Sequence, residues 1–264
     1  MIYINNEEKL KRINLKKDNF YVVADFDQTI TEGSSNSTWG VMANAGELGE
    51  EYTRKRTELY KHYRPIEIDV AISDEEKSKY MDEWWKAHIK LFYEYGLKEE
   101  NIKKSLKNSG LKYRVGAKEF LIKMYELKIP IIIVSAGIGN IIEEFLNLEN
   151  DYYENISIVS NFIDFKDGTI SGLKGDTIHA LNKNIVKLDE HSKMKLENRK
   201  NILLLGDGIA DLKMIPKADI ENAITVGFLD EKIEEKLETF NKNFDIVLSN
   251  RGTFEEVNNI LKIY

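Results

Sequence analysis

The sequence lacks cysteine, has few prolines and contains no long hydrophobic run. Because its cysteine count is 0, a thiol nucleophile, a zinc–thiolate site and a disulfide scaffold are all excluded. With only 3 prolines in 264 residues, the chain also has no stiff proline-rich linker. Its longest apolar stretch, residues 129–134, is far shorter than the roughly 18–20 residues that a membrane-spanning helix needs. We therefore expect no membrane partner.

The sequence also has no excess of basic over acidic residues. Lys and Arg total 38 against 45 Asp and Glu, which leaves a net charge of −7. A protein that coats nucleic acid needs a basic face, so we expect no nucleic-acid partner. The first residues contain no apolar segment of the kind found in signal peptides, so we expect a cytoplasmic protein. We also expect it to be a monomer. Hydrophobic residues make up 42% of the chain, which is too apolar for disorder.

Short apolar runs alternate with helical stretches along the chain, a pattern typical of βαβ units around a parallel sheet. The predicted strands are residues 20–24, 129–134, 156–160, 201–205, 224–227 and 244–248. The predicted helices include residues 117–127, 139–148 and 230–240. Near-continuous apolar strands indicate a sheet covered on both faces. The fold class that this predicts is α/β, with a doubly wound (Rossmann-like), mostly parallel sheet.

One interval interrupts the alternation. Residues 33–115 contain no convincing buried strand and read as several helices rich in Glu, Lys, Tyr and Trp. We predict that they form a helical cap domain inserted between the first and second strands of the core. The core itself is then residues 1–32 and 116–264. Within it, residues 161–172 predict a small strand pair closed by a turn at Lys166-Asp167-Gly168.

The first strand runs directly into two acids, Asp25 and Asp27. They stand at the carboxyl end of a strand, the edge at which open parallel sheets bind ligands. Two neighbouring carboxylates repel each other, and a divalent cation is the simplest partner that keeps both ionised. Oxygen ligands of this kind favour Mg²⁺. The alternative is an ordinary Asp-rich turn at a strand end.

Two further strands also end in polar residues. The loop at Ser135 and Ala136 offers a hydroxyl and backbone N–H groups to an anion, or else Ser135 merely caps the next helix. Asp207 follows another strand and precedes Asp211 by four residues, so the two acids face one pocket or simply form a turn and a first helical turn. Because the three strand ends converge, we predict a metal between carboxylates beside an anion receptor. Such a site suits phosphoryl transfer.

That chemistry also needs a cation aimed at the phosphate. Lys183, which lies between the second and third motifs, is the candidate, and Lys174 is its competitor.

These motifs resemble those of the haloacid dehalogenase superfamily of phosphohydrolases, and more closely those of the cytosolic pyrimidine 5'-nucleotidase (nucleotidase III) family. The resemblance covers essentially everything from about Phe20 onward. The matching stretches are ADFDQTIT around Asp25, PIEID around Glu67, DEEKSKYMDEWW from Asp74, VSAGIGNIIEEF from Val134, GLKGDTIHALNKN from Gly172, ILLLGDGIADLKM from Ile202 and FDIVLSN from Phe244.

The resemblance implies hydrolysis of nucleoside 5'-monophosphates, of the CMP/UMP or 7-methyl-GMP class, through an aspartyl-phosphate. It assigns the nucleophile to Asp25 and the general acid and base to Asp27. The Mg²⁺ cofactor is then held by Asp25, the backbone carbonyl of Asp27, Asp207 and Asp211. The phosphoryl group is then bound by three residues, Ser135, Ala136 and Lys183.

The resemblance further implies that Glu67 reads the base edge from the cap. The family has a Ser where this chain has His88, so the contact of His88 with base or ribose differs from the family pattern. Trp84 and Trp85 are expected in the core of the cap, with stacking on a base as the alternative. Two other functions remain open: a phosphatase for another small phosphomonoester such as phosphoserine, and a receiver-like phosphate-binding module that is not a catalyst.

Overall fold

The structure is a computed structural model that describes residues 1–69, 71–184 and 188–262. Its strands are β1 (Ile2–Ile4), β2 (Phe20–Ala24), β3 (Ile131–Ile138), β4 (Ile156–Lys166), β5 (Thr169–Lys174), β6 (Asn201–Gly206), β7 (Ala223–Leu229) and β8 (Ile246–Ser249). Its α-helices are α1 (Glu7–Arg12), α2 (Thr38–Asn44), α3 (Gly49–Ile68), α4 (Asp74–Glu94), α5 (Glu99–Lys107), α6 (Ala117–Glu126), α7 (Gly139–Leu148), α8 (Glu190–Met194), α9 (Ile233–Asn243) and α10 (Phe254–Leu261).

The described strands form one sheet in the order β1-β8-β7-β6-β2-β3-β4-β5. Strands β8, β7, β6, β2, β3 and β4 are parallel to one another, while β1 and β5 are antiparallel edge strands. Strand β2 lies at the centre between β3 and β6. The chain adds β3, β4 and β5 on one side of it and β6, β7 and β8 on the other, so the strand order reverses at β2. In open α/β sheets, a ligand binds at the carboxyl ends of the strands beside such a reversal.

Both faces of the sheet are buried, because alternate residues of a strand point to opposite faces. In β2, Phe20 and Val22 belong to one hydrophobic cluster, whereas Tyr21 and Val23 belong to the other. The predicted α/β class with a mostly parallel, doubly covered sheet is therefore confirmed.

Helices α2 to α6 lie in the interval between β2 and β3, and no strand is found in the described part of that interval. Their apolar side chains, among them Trp85 and Phe92, join the same cluster as Phe20 and Val22. The chain leaves the sheet near Glu32 and returns toward it near Lys112. These two segments are joined by a hydrogen bond from the N–H of Glu32 to the carbonyl of Lys112 at 3.0 Å.

Local sequence explains where individual elements begin and turn. Helix α4 begins after Ser73, whose hydroxyl accepts the N–H of Glu76, and acidic residues occupy its first turn, where the helix dipole favours them. The β4–β5 turn places Asp167 and Gly168 at φ of 53° and 74°, as a two-residue hairpin turn requires.

The predicted strands are all present, but several bounds were wrong. Strand β3 continues to Ile138, four residues beyond its predicted end, and β4 is one strand from Ile156 to Lys166 where a short strand and a separate pair were predicted. Helix α9 begins at Ile233 instead of residue 230. Strand β1 was missed because it is only three residues long. No helix in the described ranges is both long and apolar enough to cross a membrane.

Candidate active site

A cavity of about 400 Å³ opens between the carboxyl ends of the central strands and the helices that follow β2. The sheet side of the cavity carries the residues singled out at the strand ends: Asp25, Asp27, Ser135, Ala136, Lys183 and Asp207. The helix side carries aromatic and charged side chains: Trp39, Arg56, Tyr60, Arg64, Glu67, Trp84, Trp85 and His88. The structure thus brings the predicted site residues to one cavity, with Asp211 directly behind it.

Lys183 lies between two of the predicted carboxylates. Its Nζ is 2.7 Å from Oδ1 of Asp25 and 2.5 Å from Oδ1 of Asp211, and all three side chains are buried. Burial alone lowers the pKa of Lys183, but Asp211 and Asp25 outweigh it and raise that pKa above its ordinary value, so the ammonium stays charged. Lys174, the competing lysine, is exposed at the end of β5.

Asp211 folds back over the turn that carries Asp207. Its Oδ2 accepts the backbone N–H groups of Asp207 at 2.9 Å and of Gly208 at 2.8 Å. A Cβ on Gly206 would lie 2.5 Å from the Asp211 side chain, so this close approach requires glycine. The four-residue spacing therefore both closes the turn and points the second oxygen of Asp211 at Lys183.

The side chains of Asp25, Asp207 and Asp211 form a cluster whose ligand oxygens all lie within 4.8 Å of one another. Burial raises the pKa of Asp25 to about 7; the charges of Asp211 and Asp27 add to the rise, and Lys183 opposes it. Burial and the neighbouring acids also raise the pKa of Asp207 well above its usual value. Buried hard-oxygen donors that are so costly to ionise fit a divalent cation such as Mg²⁺.

The Asp27 side chain is held by two hydrogen bonds from Thr38. Its Oδ1 accepts the backbone N–H of Thr38 at 2.9 Å, and its Oδ2 accepts the Thr38 hydroxyl at 3.1 Å. Burial raises the pKa of Asp27 to about 6, although the Thr38 hydrogen bonds and Lys183 oppose the rise. This carboxyl is therefore poised to carry a proton near neutral pH. A Cβ on Gly137 would lie 2.1 Å from the Thr38 hydroxyl, so glycine is required there too.

Ser135 is part of the strand end and does not cap helix α7. The N-cap position of α7 is occupied by Ile138, whose side chain makes no capping hydrogen bond. The Ser135 hydroxyl oxygen accepts the N–H of Gly137 at 3.0 Å, which leaves its proton available to an anion in the cavity. Ser135 and Ala136 therefore line the cavity in the manner expected of an anion-binding loop and not of a helix cap.

Asn161 holds this loop against the segment that carries Lys183. Its amide nitrogen donates to the carbonyl of Gly137 at 3.2 Å and to that of Ile178 at 2.7 Å, while its oxygen accepts the N–H of Ile178 at 2.7 Å. The N–H of Lys183 in turn donates to the carbonyl of His179 at 3.1 Å. A single buried amide thus fixes the anion loop and the lysine relative to each other.

The helix side of the cavity is aromatic. The ring of Trp39 lies 4.4 Å from the rings of both Trp85 and His88, and Trp84 stacks on Tyr63 at 5.7 Å. The expected core position is confirmed for Trp85, which is buried, while Trp84 is half-buried. Two buried nitrogen atoms on this wall, Nε1 of Trp84 and Nδ1 of His88, have no hydrogen-bond partner among the described residues.

The model of the pyrimidine 5'-nucleotidase (UMPH-1) family matches residues 24–264. The chain belongs to this family. It is 37% identical to the human 7-methylguanosine phosphate-specific 5'-nucleotidase over an alignment of 253 positions that covers 93% of this chain and 84% of that protein. A Xenopus laevis protein of the same name, form A, is 36% identical over an alignment of 266 positions that covers 97% of this chain and 91% of that protein. The family inferred from the motifs is thereby confirmed.

Solved structures agree with this membership of the pyrimidine 5'-nucleotidase family. A crystal structure of cytosolic 5'-nucleotidase IIIB bound to cytidine superposes with a TM-score of 0.85 at 28% identity, covering 99% of this chain and 93% of that one. A phosphoserine phosphatase, captured as an analogue of its phospho-aspartyl intermediate, has a TM-score of 0.59 at 17% identity and covers 92% of this chain and 99% of that one. The second likeness shows a shared fold alone.

Several residues that line or support the cavity were missed by sequence reasoning. Thr38, Trp39 and Arg56 lie outside the stretches that carry the family resemblance, and nothing in their spacing indicates that they reach the cavity. Asn161 lies in the middle of a strand and carries no motif. A polar residue at an inward position of a buried strand is the one signal that could have identified it.

Proposed function

We propose that this protein is a Mg²⁺-dependent 5'-nucleotidase that hydrolyses nucleoside 5'-monophosphates to nucleoside and phosphate. The observation that carries the proposal is the pair Asp25 and Lys183, buried in contact at 2.7 Å at the bottom of a cavity with aromatic side chains opposite. A carboxylate, a fixed cation and a ring-lined wall match the phosphate and the base of a nucleotide.

Asp25 is the proposed nucleophile. One of its carboxylate oxygens forms a bond to phosphorus while the bond from phosphorus to the nucleoside 5'-oxygen breaks, and the Asp27 proton moves to that oxygen. Asp27, now ionised, takes a proton from water as the water attacks phosphorus and releases Asp25. The raised pKa of Asp27, about 6, suits a group that carries a proton in one step and accepts one in the next.

The phosphoryl oxygens are bound by the Ser135 hydroxyl, the Ala136 N–H and the Lys183 ammonium. Asp25, Asp207 and Asp211, together with the Asp27 carbonyl, are the groups that would hold Mg²⁺, which when bound neutralises charge on the transferring phosphoryl group. Asn161 supports this arrangement because it ties the anion loop to the lysine segment.

Residues 33–115 act in this proposal as a cap that closes over the phosphate and excludes water. Glu67 receives the exocyclic amine of the base, because a carboxylate accepts a hydrogen bond from an amine but not from a bare carbonyl group of a base. His88 offers its unpartnered Nδ1 to the base or ribose. The relatives are named as 5'-nucleotidases specific for 7-methylguanosine phosphate, and the similar solved structure is bound to cytidine. Nucleotides of both base classes are therefore substrates to test.

The proposed place of action is the cytoplasm, because similar proteins are named cytosolic nucleotidases. The proposed partner is the nucleotide alone, with the protein acting as a monomer.

A substrate panel tests the proposal. CMP, UMP, GMP, 7-methyl-GMP and phosphoserine are each incubated with the protein, with Mg²⁺ or with a chelator, and phosphate release is measured. We expect turnover of at least one nucleotide that the chelator abolishes and that D25N lacks. Exclusive turnover of phosphoserine would overturn the nucleotidase assignment, and Mg²⁺-independent turnover would overturn the cofactor.

A further inference from the structure

One ion pair on the helix side of the cavity involves the proposed base-reading residue. Arg64 and Glu67 lie one turn apart near the end of α3, and the guanidinium of Arg64 donates to the Glu67 carboxylate. Both side chains line the cavity, and the Glu67 side chain is only 19% exposed. Glu67 is therefore already neutralised before a base arrives.

The remaining charges on this wall are positive. Arg56 also lines the cavity, with its guanidinium 5.4 Å from the centre of the Tyr60 ring. Burial, with a smaller contribution from Arg56, lowers the pKa of His88 to about 3, so that this ring is neutral at physiological pH. Among the described lining side chains of α3 and α4, two arginines therefore face one glutamate.

Arg64 also lies close enough to the sheet side of the cavity to interact electrostatically with Asp207. Its side chain is 46% exposed, so it has room to turn toward a bound molecule without unpacking the protein. Because the guanidinium pairs with the base-reading carboxylate and lines the same cavity as Asp207, its charge acts on whichever base occupies that cavity.

Resting on the nucleotidase function proposed above, we propose that Arg64 is a specificity-determining residue that selects neutral bases over cationic ones. Methylation at N7 gives guanine a positive charge, which an unpaired glutamate attracts and an Arg64–Glu67 pair does not. A neutral base such as cytosine loses nothing from the pairing, because its amine still donates to the carboxylate and its carbonyl accepts from a guanidinium. This chain therefore disfavours 7-methyl-GMP relative to a form of the enzyme without the arginine.

GMP and 7-methyl-GMP make a sharp comparison because they share a ring system and differ in the methyl group and its charge. The measurement is kcat/KM for both, and for CMP, in the wild type, R64Q, R64K and R54Q, at slightly acidic pH where the methylated base keeps its charge. Arg54 is the matched control, since it forms the same kind of i,i+3 pair on the same helix, with Glu51, away from the cavity.

We expect R64Q to raise the ratio of 7-methyl-GMP to GMP turnover about tenfold, mainly through KM, and R64K and R54Q to keep the wild-type ratio. A ratio in R64Q within twofold of the wild type would overturn the role of Arg64 and leave the nucleotidase function standing. An equal rise in R54Q would overturn it as well, by showing a general effect of helix charge. Wild-type protein that hydrolyses none of these nucleotides would instead overturn the proposed function, and this inference with it.

Discussion

Lys183 and Asp25 are separated by 158 positions in the chain and meet at 2.7 Å in the buried floor of the cavity. The lysine follows the β4–β5 hairpin, and the aspartate follows the central strand. Their contact requires that the lysine segment be fixed against the anion loop, and Asn161 provides that link. In the proposed mechanism this pair is central, because it combines the nucleophile with the cation that binds the phosphoryl group.

Replacing Lys183 by Met is expected to reduce kcat/KM for nucleotides by about 100- to 1000-fold, because the preorganised positive charge that faces the phosphoryl group is lost. Phosphate release measures the effect. Lys174→Met is the control, since Lys174 is exposed and lies outside the cavity lining. Equal losses in both variants would show that lysine charge matters only in general, and not at this position.

Replacing Thr38 by Val removes the hydroxyl that donates to Asp27 at 3.1 Å and accepts the N–H of Ile138 at 3.1 Å. We expect kcat to fall about 10- to 100-fold with little change in KM, since one hydrogen bond to a charged group is worth roughly 1.5–3 kcal/mol. Thr38→Ser keeps the hydroxyl and should recover most of the rate. If Thr38→Val keeps the wild-type kcat, Thr38 does not position Asp27.

Replacing Gly137 by Ala places a Cβ 2.1 Å from the Thr38 hydroxyl and 3.2 Å from Oδ2 of Asp27. We expect activity to fall sharply and the free energy of unfolding to decrease by about 1–3 kcal/mol, the usual cost of overpacking. Denaturant titration and phosphate release measure the two effects. Gly172→Ala serves as the comparison, because a Cβ there meets nothing within 4 Å. Wild-type activity in Gly137→Ala would show that the cavity floor is not packed this tightly.

His88 predicts a pH dependence of stability. Burial, and to a smaller extent Arg56, lowers its pKa from 6.5 to about 3 in the folded protein. Because the unfolded chain binds this proton more strongly, protonation favours unfolding, and stability falls as the pH falls below 6.5. Between pH 6.5 and 5 the loss from this group is about 2 kcal/mol, at 1.36 kcal/mol per unit.

His88→Gln has no such proton to bind, so its free energy of unfolding should fall less than that of the wild type over the same range. Denaturant titrations at both pH values give the difference of differences, which removes the contributions of other groups. Identical pH dependence in the two proteins would contradict a buried neutral imidazole.

The sheet was predictable because its parallel strands are covered on both faces and are therefore nearly continuous apolar runs. Strand β1 was not, since Ile2 and Ile4 are half exposed and the strand exists through its antiparallel pairing with β8. The far half of β4 was read as a separate strand because its residues pair first with β3 and then with β5.

The acids and the serine of the cavity were predictable because strand ends in a parallel sheet converge on one edge, and Lys183 was predictable as a cation between the second and third motifs. Thr38 and Arg64 were not, because they reach the cavity only through the way α2 and α3 pack on the sheet. Local spacing along a helix indicates which residues share a face, but it does not indicate what that face will meet.

Trapping a covalent intermediate tests the central claim most directly. In Asp27→Asn, the base that hydrolyses an aspartyl-phosphate is missing, while a substrate with a good leaving group such as p-nitrophenyl phosphate needs no acid to react. Rapid mixing with Mg²⁺ should release a burst of nitrophenolate close to one per protein molecule, and mass spectrometry should locate one phosphoryl group on Asp25. Release of nitrophenolate and phosphate in step, with Asp25 unmodified, would contradict the account.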